Sequence, residues 1–443
     1  MAGKKPNGKY QIITIWGVVT LVFLLGLILR ILAMDFPVHG VGGDTTATRW
    51  QPALYAPYLE VDERIYIALT EQLQAGRGYT LQGHPILHEP WIVPEQYDRP
   101  LFFHPPGGIA FFWLMQTIFG NAGYALAQVL GFVVFFWSLM LLGWVVVSPF
   151  NRIALLALAT LAAFTPIMAH VAGRFWLDGP LLAFSTAAAA VFLLGLKRRS
   201  TLLICLAAAL LGYASLIKLA AFFIIPGTVA LAWADAPSGR CRSLLVNSLL
   251  FVGIAGLIQL PWEIWQWRVV GSAFPTWAGK PVDQLVNTSA YVHFLTVERS
   301  PWIYVELLPQ VIWTLVPSLV LLAMQWSNRE LRKRGTALVF WIILVVGVHV
   351  ALGAIGYSKV LRYVILVTPA TAVLFALVVG GAVQDIREGR WLPGGKVVTL
   401  ALLLLAVAGL GLEVIQGYET SMVDNRMMMD LIRPLPVLRG IFH

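Results

Sequence analysis

Long apolar runs alternate with short polar connectors along most of this chain. About 20 consecutive apolar residues carry a helix across a hydrocarbon core of roughly 30 Å. Eleven stretches meet or approach that length: 11–34, 124–147, 151–169, 179–196, 201–217, 219–234, 243–265, 303–326, 336–356, 360–381 and 395–413. A twelfth, Gly107 to Phe119, reaches little more than half of it and reads as a helix lying at or dipping into the interface. The pattern predicts an all-α polytopic membrane protein of about eleven transmembrane helices. One transmembrane domain covers 1–413, with a large first outer loop at 35–123, a second at 267–302 and a short outer tail at 414–443. In the first loop, Tyr66, Leu69 and Leu73 share one face of a helical stretch over 58–74. Turn signals at Gly76-Arg77-Gly78, His84-Pro85 and His104-Pro105-Pro106 make that loop an ordered cap rather than a linker.

Composition narrows the class further. Of 443 residues, 58% are hydrophobic and only 12% charged, too little polar surface for a solvated globule. The net charge of +9 comes from Lys and Arg grouped between apolar runs, where they act as topology determinants, so nucleic acid is excluded as a partner. If 107–119 does not cross, Arg152, Lys197-Arg198-Arg199, Arg240 with Arg242, the run 328–334, and Arg387 with Arg390 and Lys396 share the side of Lys4 and Lys5. The positive-inside bias then puts the N-terminus in the cytosol, uncleaved, and the C-terminus outside. Cys205 lies in an apolar run and Cys241 in a basic connector, so no disulfide framework is expected. The connectors are too short for a nucleotide-binding domain and carry no glycine-rich phosphate loop, which argues against ATP hydrolysis.

The uncommon polar residues then return to one face. Asp62 and Glu63 open the helical stretch of the first loop; they read either as a general base aimed into a membrane-surface cavity or as helix-start acids. Asp178, in Arg174-Phe175-Trp176-Leu177-Asp178-Gly179-Pro180, occupies a very short outer turn, as a site carboxylate or an interfacial anchor. Lys218 breaks an apolar hairpin on the side that lysine avoids, either snorkelling to the interface or meeting a phosphate. Lys359 and Arg362, three residues apart beside Tyr363, repeat the pattern. A carboxylate base together with cations that can neutralise a phosphate leaving group describes group transfer from a lipid phosphate. His84 and His88 are separated by a proline that prevents a helical metal-binding pair, and neither a cofactor nor an obligatory metal is expected.

These motifs resemble the membrane-embedded glycosyltransferases of the GT-C class, in the branch of the protein O-mannosyltransferases and the lipid A aminoarabinose transferase. The resemblance runs through Asp62-Glu63-Arg64-Ile65-Tyr66, Phe103-His104-Pro105-Pro106, Leu177-Asp178-Gly179-Pro180, Gly212 to Lys218, Leu260-Pro261-Trp262 with Arg268, and Lys359 to Tyr363 with Pro369. It implies an inverting displacement on a polyprenyl-phosphate-linked sugar, with an acceptor hydroxyl on a protein, lipid or glycan at the extracytoplasmic face of a prokaryotic plasma membrane. Asp62 matches the family's base, Asp178 its second acidic position, and Lys218, Lys359 and Arg362 its cationic positions, with Tyr363 beside them; Glu63, adjacent to Asp62, remains a rival base. His104, Arg174 and Arg268 are expected to line the pocket. Two departures stand out: His104 replaces a lysine of the aminoarabinose branch, and Ala127-Gln128 lies near a common arginine position. The tail around Met427-Met428-Met429 reads as an interfacial amphipathic helix. The principal rival is a polyprenyl-lipid flippase or secondary transporter, which would show midplane charges, broken helices and repeats. Here His349 is the chief titratable residue within a span.

Overall fold

A computed structural model describes residues 8–35, 61–88, 97–98, 100–102, 104–147, 151–172, 175–236, 241–271, 300–355 and 361–422. No strand occurs among them. The helices are α1 Gly8–Asp35, α2 Val61–Gln74, α3 Gly107–Phe119, α4 Gly123–Val146, α5 Arg152–Phe164, α6 Pro166–Ala172, α7 Asp178–Arg198 and α8 Thr201–Ile217, then α9 Ile225–Asp235, α10 Cys241–Val270, α11 Ile303–Val311, α12 Leu315–Met324, α13 Arg329–Ala354, α14 Thr368–Arg387 and α15 Gly395–Met422. Two 3₁₀ segments, Leu219–Ile224 and Leu361–Val367, lead into α9 and α14. The apolar runs expected to span fall on helical segments, although 151–169 and 303–326 are each divided between two helices and 219–234 and 360–381 begin in 3₁₀ segments. Among the described residues, seven helical stretches are long and apolar enough to cross a membrane, eight if α11 and α12 form one span. The apolar parts Ile15–Ile31, Thr201–Ile217 and Leu219–Asp235 are shorter, so length does not establish eleven crossings. The helix of the last span runs on through 414–422, and 423–443 of the expected tail and much of both large outer loops lie outside the described residues.

Local sequence explains the helix starts on the expected cytosolic side. Asn151, Ser200 and Asn328 accept from the backbone N–H of Ala154, Leu203 and Leu331, satisfying donors that have no partner within the helix. Asn151 also donates to the Gly380 carbonyl at 2.7 Å, tying α5 to α14. The stretch Arg362–Arg387 is almost wholly enclosed, whereas Cys241–Val269 and Gly395–Tyr418 turn most of their surface outward. The core therefore centres on α14, with α5 and α13 against it and α7 leading out to α8 and α10.

Two interruptions of the spans are closed by side chains from other helices, and a third polar contact ties the end of α12 to α14. In a membrane, unpaired backbone groups cost several kcal/mol each. At Thr165-Pro166, where the chain leaves α5 for α6, the fully buried Arg30 of α1 donates to the Ala163 carbonyl at 2.7 Å and lies over the Phe132 ring. The expected single span 303–326 is instead broken: α11 and α12 meet at 87°. Pro309 lies within α11 and cannot donate, and backbone pairing stops at Ile312. The carboxylate of Glu413 in α15 accepts from the Thr314 N–H at 2.8 Å and its hydroxyl at 2.6 Å. Gln416 accepts from the Trp313 indole at 2.9 Å. Within α12 and α14, the Gln325 amide donates to the carbonyls of Leu321 and Val378.

The first loop folds onto the bundle as a cap. Gly76 and Gly78 take positive φ, +69° and +89°, which end α2 as the sequence implied. The Tyr79 hydroxyl donates to the Pro105 carbonyl at 3.2 Å while its ring packs edge-on against Phe102 and Trp262 of α10. α3 is 13 residues long and too short to cross; Ile109 and Phe112 face the core and Ile118 and Phe119 are exposed. Its first turn approaches so closely that a Cβ on Gly107 would lie 2.8 Å from the Leu216 backbone, and one on Gly108 2.4 Å from the Leu177 side chain. Two glycines after two prolines thus seat His104 beside the ends of α7 and α8.

The Glu413 cap should be measurable in thermal unfolding of the protein in lipid nanodiscs. Glu413→Ala is expected to cost about 1–3 kcal/mol, the loss when a buried donor is left unmatched. Glu413→Gln, whose amide oxygen can still accept from Thr314, is expected to cost less. Equal midpoints for wild type and Glu413→Ala would contradict the capping role.

Candidate active site

Asp62 and Glu63 occupy the first turn of α2, and their side chains part. The fully buried Glu63 accepts the Phe175 backbone N–H at 2.8 Å, tethering α2 to the turn that precedes α7. Asp62 forms an ion pair through Oδ2 with the Arg362 guanidinium. The two acids that sequence left as rival bases are thus distinguished by geometry: one holds backbone, the other meets a cation.

Arg362 sits in the 3₁₀ segment Leu361–Val367, anchored where the Trp341 indole donates to the Leu366 carbonyl at 3.1 Å. Pro369 near the start of α14 limits how that segment can join the helix. The guanidinium lies 4.2 Å from the Trp176 ring centroid and 5.8 Å from that of Tyr363. Flat, weakly hydrated guanidinium suits such stacking better than ammonium.

Asp178, the first residue of α7, is buried and receives Lys218 Nζ at 2.9 and 3.0 Å, one distance to each carboxylate oxygen. The helix N-terminus adds a favourable partial charge. Lys218 is extended, φ −152° and ψ 135°, because it joins α8 to the following 3₁₀ turn. Its Nζ lies 5.6 Å from the Tyr363 ring, so that ring faces the cations of both ion pairs.

Burial alone would raise the Asp62 pKa, but Arg362, with Lys218, holds it below the ordinary carboxylate range. The His104 imidazole is pushed down as well, to about 3, by burial and by Lys218 against the opposing fields of Asp62 and Asp178, which keeps it neutral. Tyr66 and Tyr97 also lie within the field of Asp62, and burial raises the pKa of both.

The structure therefore gathers Asp62, Asp178, Lys218, Arg362, Tyr363 and His104, with Glu63 supporting the turn from behind. It does not bring Arg268 in: that side chain is exposed in the last turn of α10. Lys359 and Arg174 lie outside the described residues. His84 turns to Glu71 at 3.2 Å, and no three metal-ligating groups converge among the described residues. His349 is buried with Nδ1 2.8 Å from the Val345 carbonyl and its ring against Phe223 and Tyr304. Sequence reasoning missed Trp176 and Tyr97 as neighbours of the cluster. An aromatic beside Asp178 in so short a turn was the available signal for Trp176; Tyr97 gave none.

No protein-family model and no curated protein sequence matches this chain. Solved structures do share its fold. The archaeal oligosaccharyltransferase AglB from Archaeoglobus fulgidus, in complex with an inhibitory peptide and a dolichol-phosphate, aligns with a TM-score of 0.55 at 14% identity over 91% of this chain and 56% of AglB. ArnT from Cupriavidus metallidurans aligns in its apo state with a TM-score of 0.54 at 16% identity, over 93% of this chain and 77% of ArnT. ArnT bound to undecaprenyl phosphate gives 0.51 at 18% identity, over 92% and 74%. The chain spans about half the length of AglB and about three quarters of ArnT. Its fold is that of the GT-C class, as the motifs implied, and it is an integral membrane protein.

Two outcomes follow from this geometry. His104 is neutral in the fold and titrates near 6.5 once unfolded, so protons bind the unfolded chain more strongly between those values. Stability contributed by His104 is full above about pH 6.5 and declines as pH falls toward 3. Unfolding of wild type and His104→Gln across pH 7 to 4 should show a shallower acid decline in the variant; parallel curves would exclude the effect. Separately, Glu63→Gln keeps an acceptor for the Phe175 N–H and should retain most activity, whereas Glu63→Ala should lose at least about tenfold. Equal loss in both would instead make the Glu63 charge essential.

Proposed function

We propose that this protein is an inverting glycosyltransferase that moves a sugar from a polyprenyl-phosphate carrier to an acceptor hydroxyl on the extracytoplasmic face. The observation that carries the reading is the pairing of Asp62 with Arg362 beside that of Asp178 with Lys218, at helix ends covered by the first loop. The fold shared with AglB and ArnT supports it, since the AglB structure holds dolichol-phosphate and one ArnT structure undecaprenyl phosphate.

In this reading Asp62 takes the proton of the acceptor hydroxyl. The acceptor oxygen forms its bond to the anomeric carbon from the face opposite the leaving group, inverting configuration. The bond from that carbon to the phosphate oxygen breaks, and its electron pair leaves with the carrier phosphate. Arg362 and Lys218 neutralise the charge that develops there, Arg362 as a planar fork and Lys218 as a point charge. Asp178 holds Lys218 in place, Tyr363 lines the space between the cations, and Lys359 is a further phosphate contact. His104, neutral, offers a hydrogen bond rather than a charge, and Arg174 completes the pocket wall. The N-terminus is cytosolic, the cell a prokaryote, and no metal is required.

The break between α11 and α12 and the buried Glu413 favour, as a second reading, a lipid flippase, because transporters use broken helices and buried acids. Against it, Glu413 is engaged in capping Thr314.

Purified protein in lipid, offered polyprenyl-phosphate sugars and candidate acceptors, should release carrier phosphate. Asp62→Asn should lose at least about 10²-fold in turnover, the scale of a general base, while still binding carrier. Carrier crossing sealed vesicles with no sugar released would instead make it a flippase. For topology, exposed Cys241 should react with a membrane-impermeant maleimide only after the cytosolic side is opened. Labelling in intact cells would reverse the orientation.

A further inference from the structure

Both carboxylates of the cluster are engaged by cations, but not equally. Asp178 is 2% exposed and places both oxygens on Lys218, so that pair is closed. Asp62 is 28% exposed and uses Oδ2 alone, so its side chain has room to turn away. Arg362 is 3% exposed, and its Nε and Nη1 are buried without a hydrogen-bond partner. Buried guanidinium nitrogens left unmatched are costly, and they mark where an acceptor-rich ligand fits. A phosphate satisfies a guanidinium through two parallel hydrogen bonds, which a single carboxylate oxygen cannot do.

We propose that the carrier phosphate and Asp62 compete for Arg362, so that the donor binds first and, by taking Arg362, releases Asp62 to act on the acceptor. The inference rests on the glycosyltransferase reading and deepens it. In the free protein Asp62 is held as an ion-pair partner and is a poor proton acceptor. Once the phosphate takes over the guanidinium charge, the carboxylate loses its counter-ion while remaining beside the sugar. An acceptor arriving first meets a base that is occupied. Trp176 and Tyr363, 4.2 and 5.8 Å from the guanidinium, keep it in place while its partner changes.

Competition makes an uncommon demand: removing the catalytic carboxylate should strengthen carrier binding. Undecaprenyl phosphate is titrated into wild type, Asp62→Asn, Asp62→Ser, Arg362→Gln and the Asp62→Asn/Arg362→Gln double variant in nanodiscs, read by native mass spectrometry. Asp62→Asn and Asp62→Ser are each expected to bind about tenfold more tightly than wild type, the scale of one charge-assisted hydrogen bond. Either variant suffices if the other does not fold. Arg362→Gln should bind more weakly, and Asp62→Asn should add no gain in that background. Unchanged or weaker binding by both Asp62 variants, with wild type binding normally, overturns the competition and leaves the transferase reading intact. No binding by wild type overturns that reading and the inference together.

Discussion

Two buried ion pairs, Asp62 with Arg362 and Asp178 with Lys218, set the conditions that the rest of this structure meets. Charges at the mouth of a membrane bundle are stable only when paired and closely packed. The four residues come from four places far apart in sequence: the start of α2, the start of α7, the junction after α8 and the 3₁₀ segment before α14. Bringing them together requires the first loop to lie on the bundle. Glu63 on the Phe175 backbone N–H and the Tyr213 hydroxyl on the Gly107 carbonyl are polar contacts that hold it there. The close approach of Gly107 and Gly108 to Leu216 and Leu177 ties α3 into the same arrangement.

The same constraint separates structural from chemical polar groups. Arg30, Gln325, Glu413 and Gln416 are buried, and each pairs with groups near a helix break or with the backbone of a neighbouring helix. Such residues let spans bend without unmatched N–H or C=O groups in hydrocarbon. Arg362 differs: its partner is the side chain of a partly exposed acid from another element rather than a backbone carbonyl. That contrast, more than burial, distinguishes a site cation from a capping cation.

Much of this was legible from local pattern. The run 201–217 became Thr201–Ile217 and the short helix kept the bounds Gly107–Phe119, because hydropathy and the flanking Ser200, Lys218 and prolines act within a few residues. Asp62, Asp178, Lys218 and Arg362 were picked out as charges in places that disfavour them. What remained hidden depended on partners distant in sequence. The break at Ile312 is tolerated because Glu413 lies opposite it, and nothing in 303–326 announces that residue. Glu63 could not be ranked against Asp62 because its partner is a backbone N–H 112 positions away. Arg268 looked like a pocket residue by motif order, but its position in the last turn of α10 leaves its side chain exposed.

His104 shows how the residue before the prolines sets the charge of the cluster. A lysine before the prolines would add a third cation next to Lys218 and Arg362, and like charges so close would raise the cost of burying all three. Burial and Lys218 hold His104 neutral, so the cluster contains two cations and two carboxylates. Those four charges balance one another, and a phosphate entering among them makes the group net negative. In the competition proposed above, the excess falls on the more exposed carboxylate, Asp62, whose counter-ion the phosphate takes. The charge balance that lets the two pairs be buried is then the same balance that makes the carboxylate basic once a phosphate joins them.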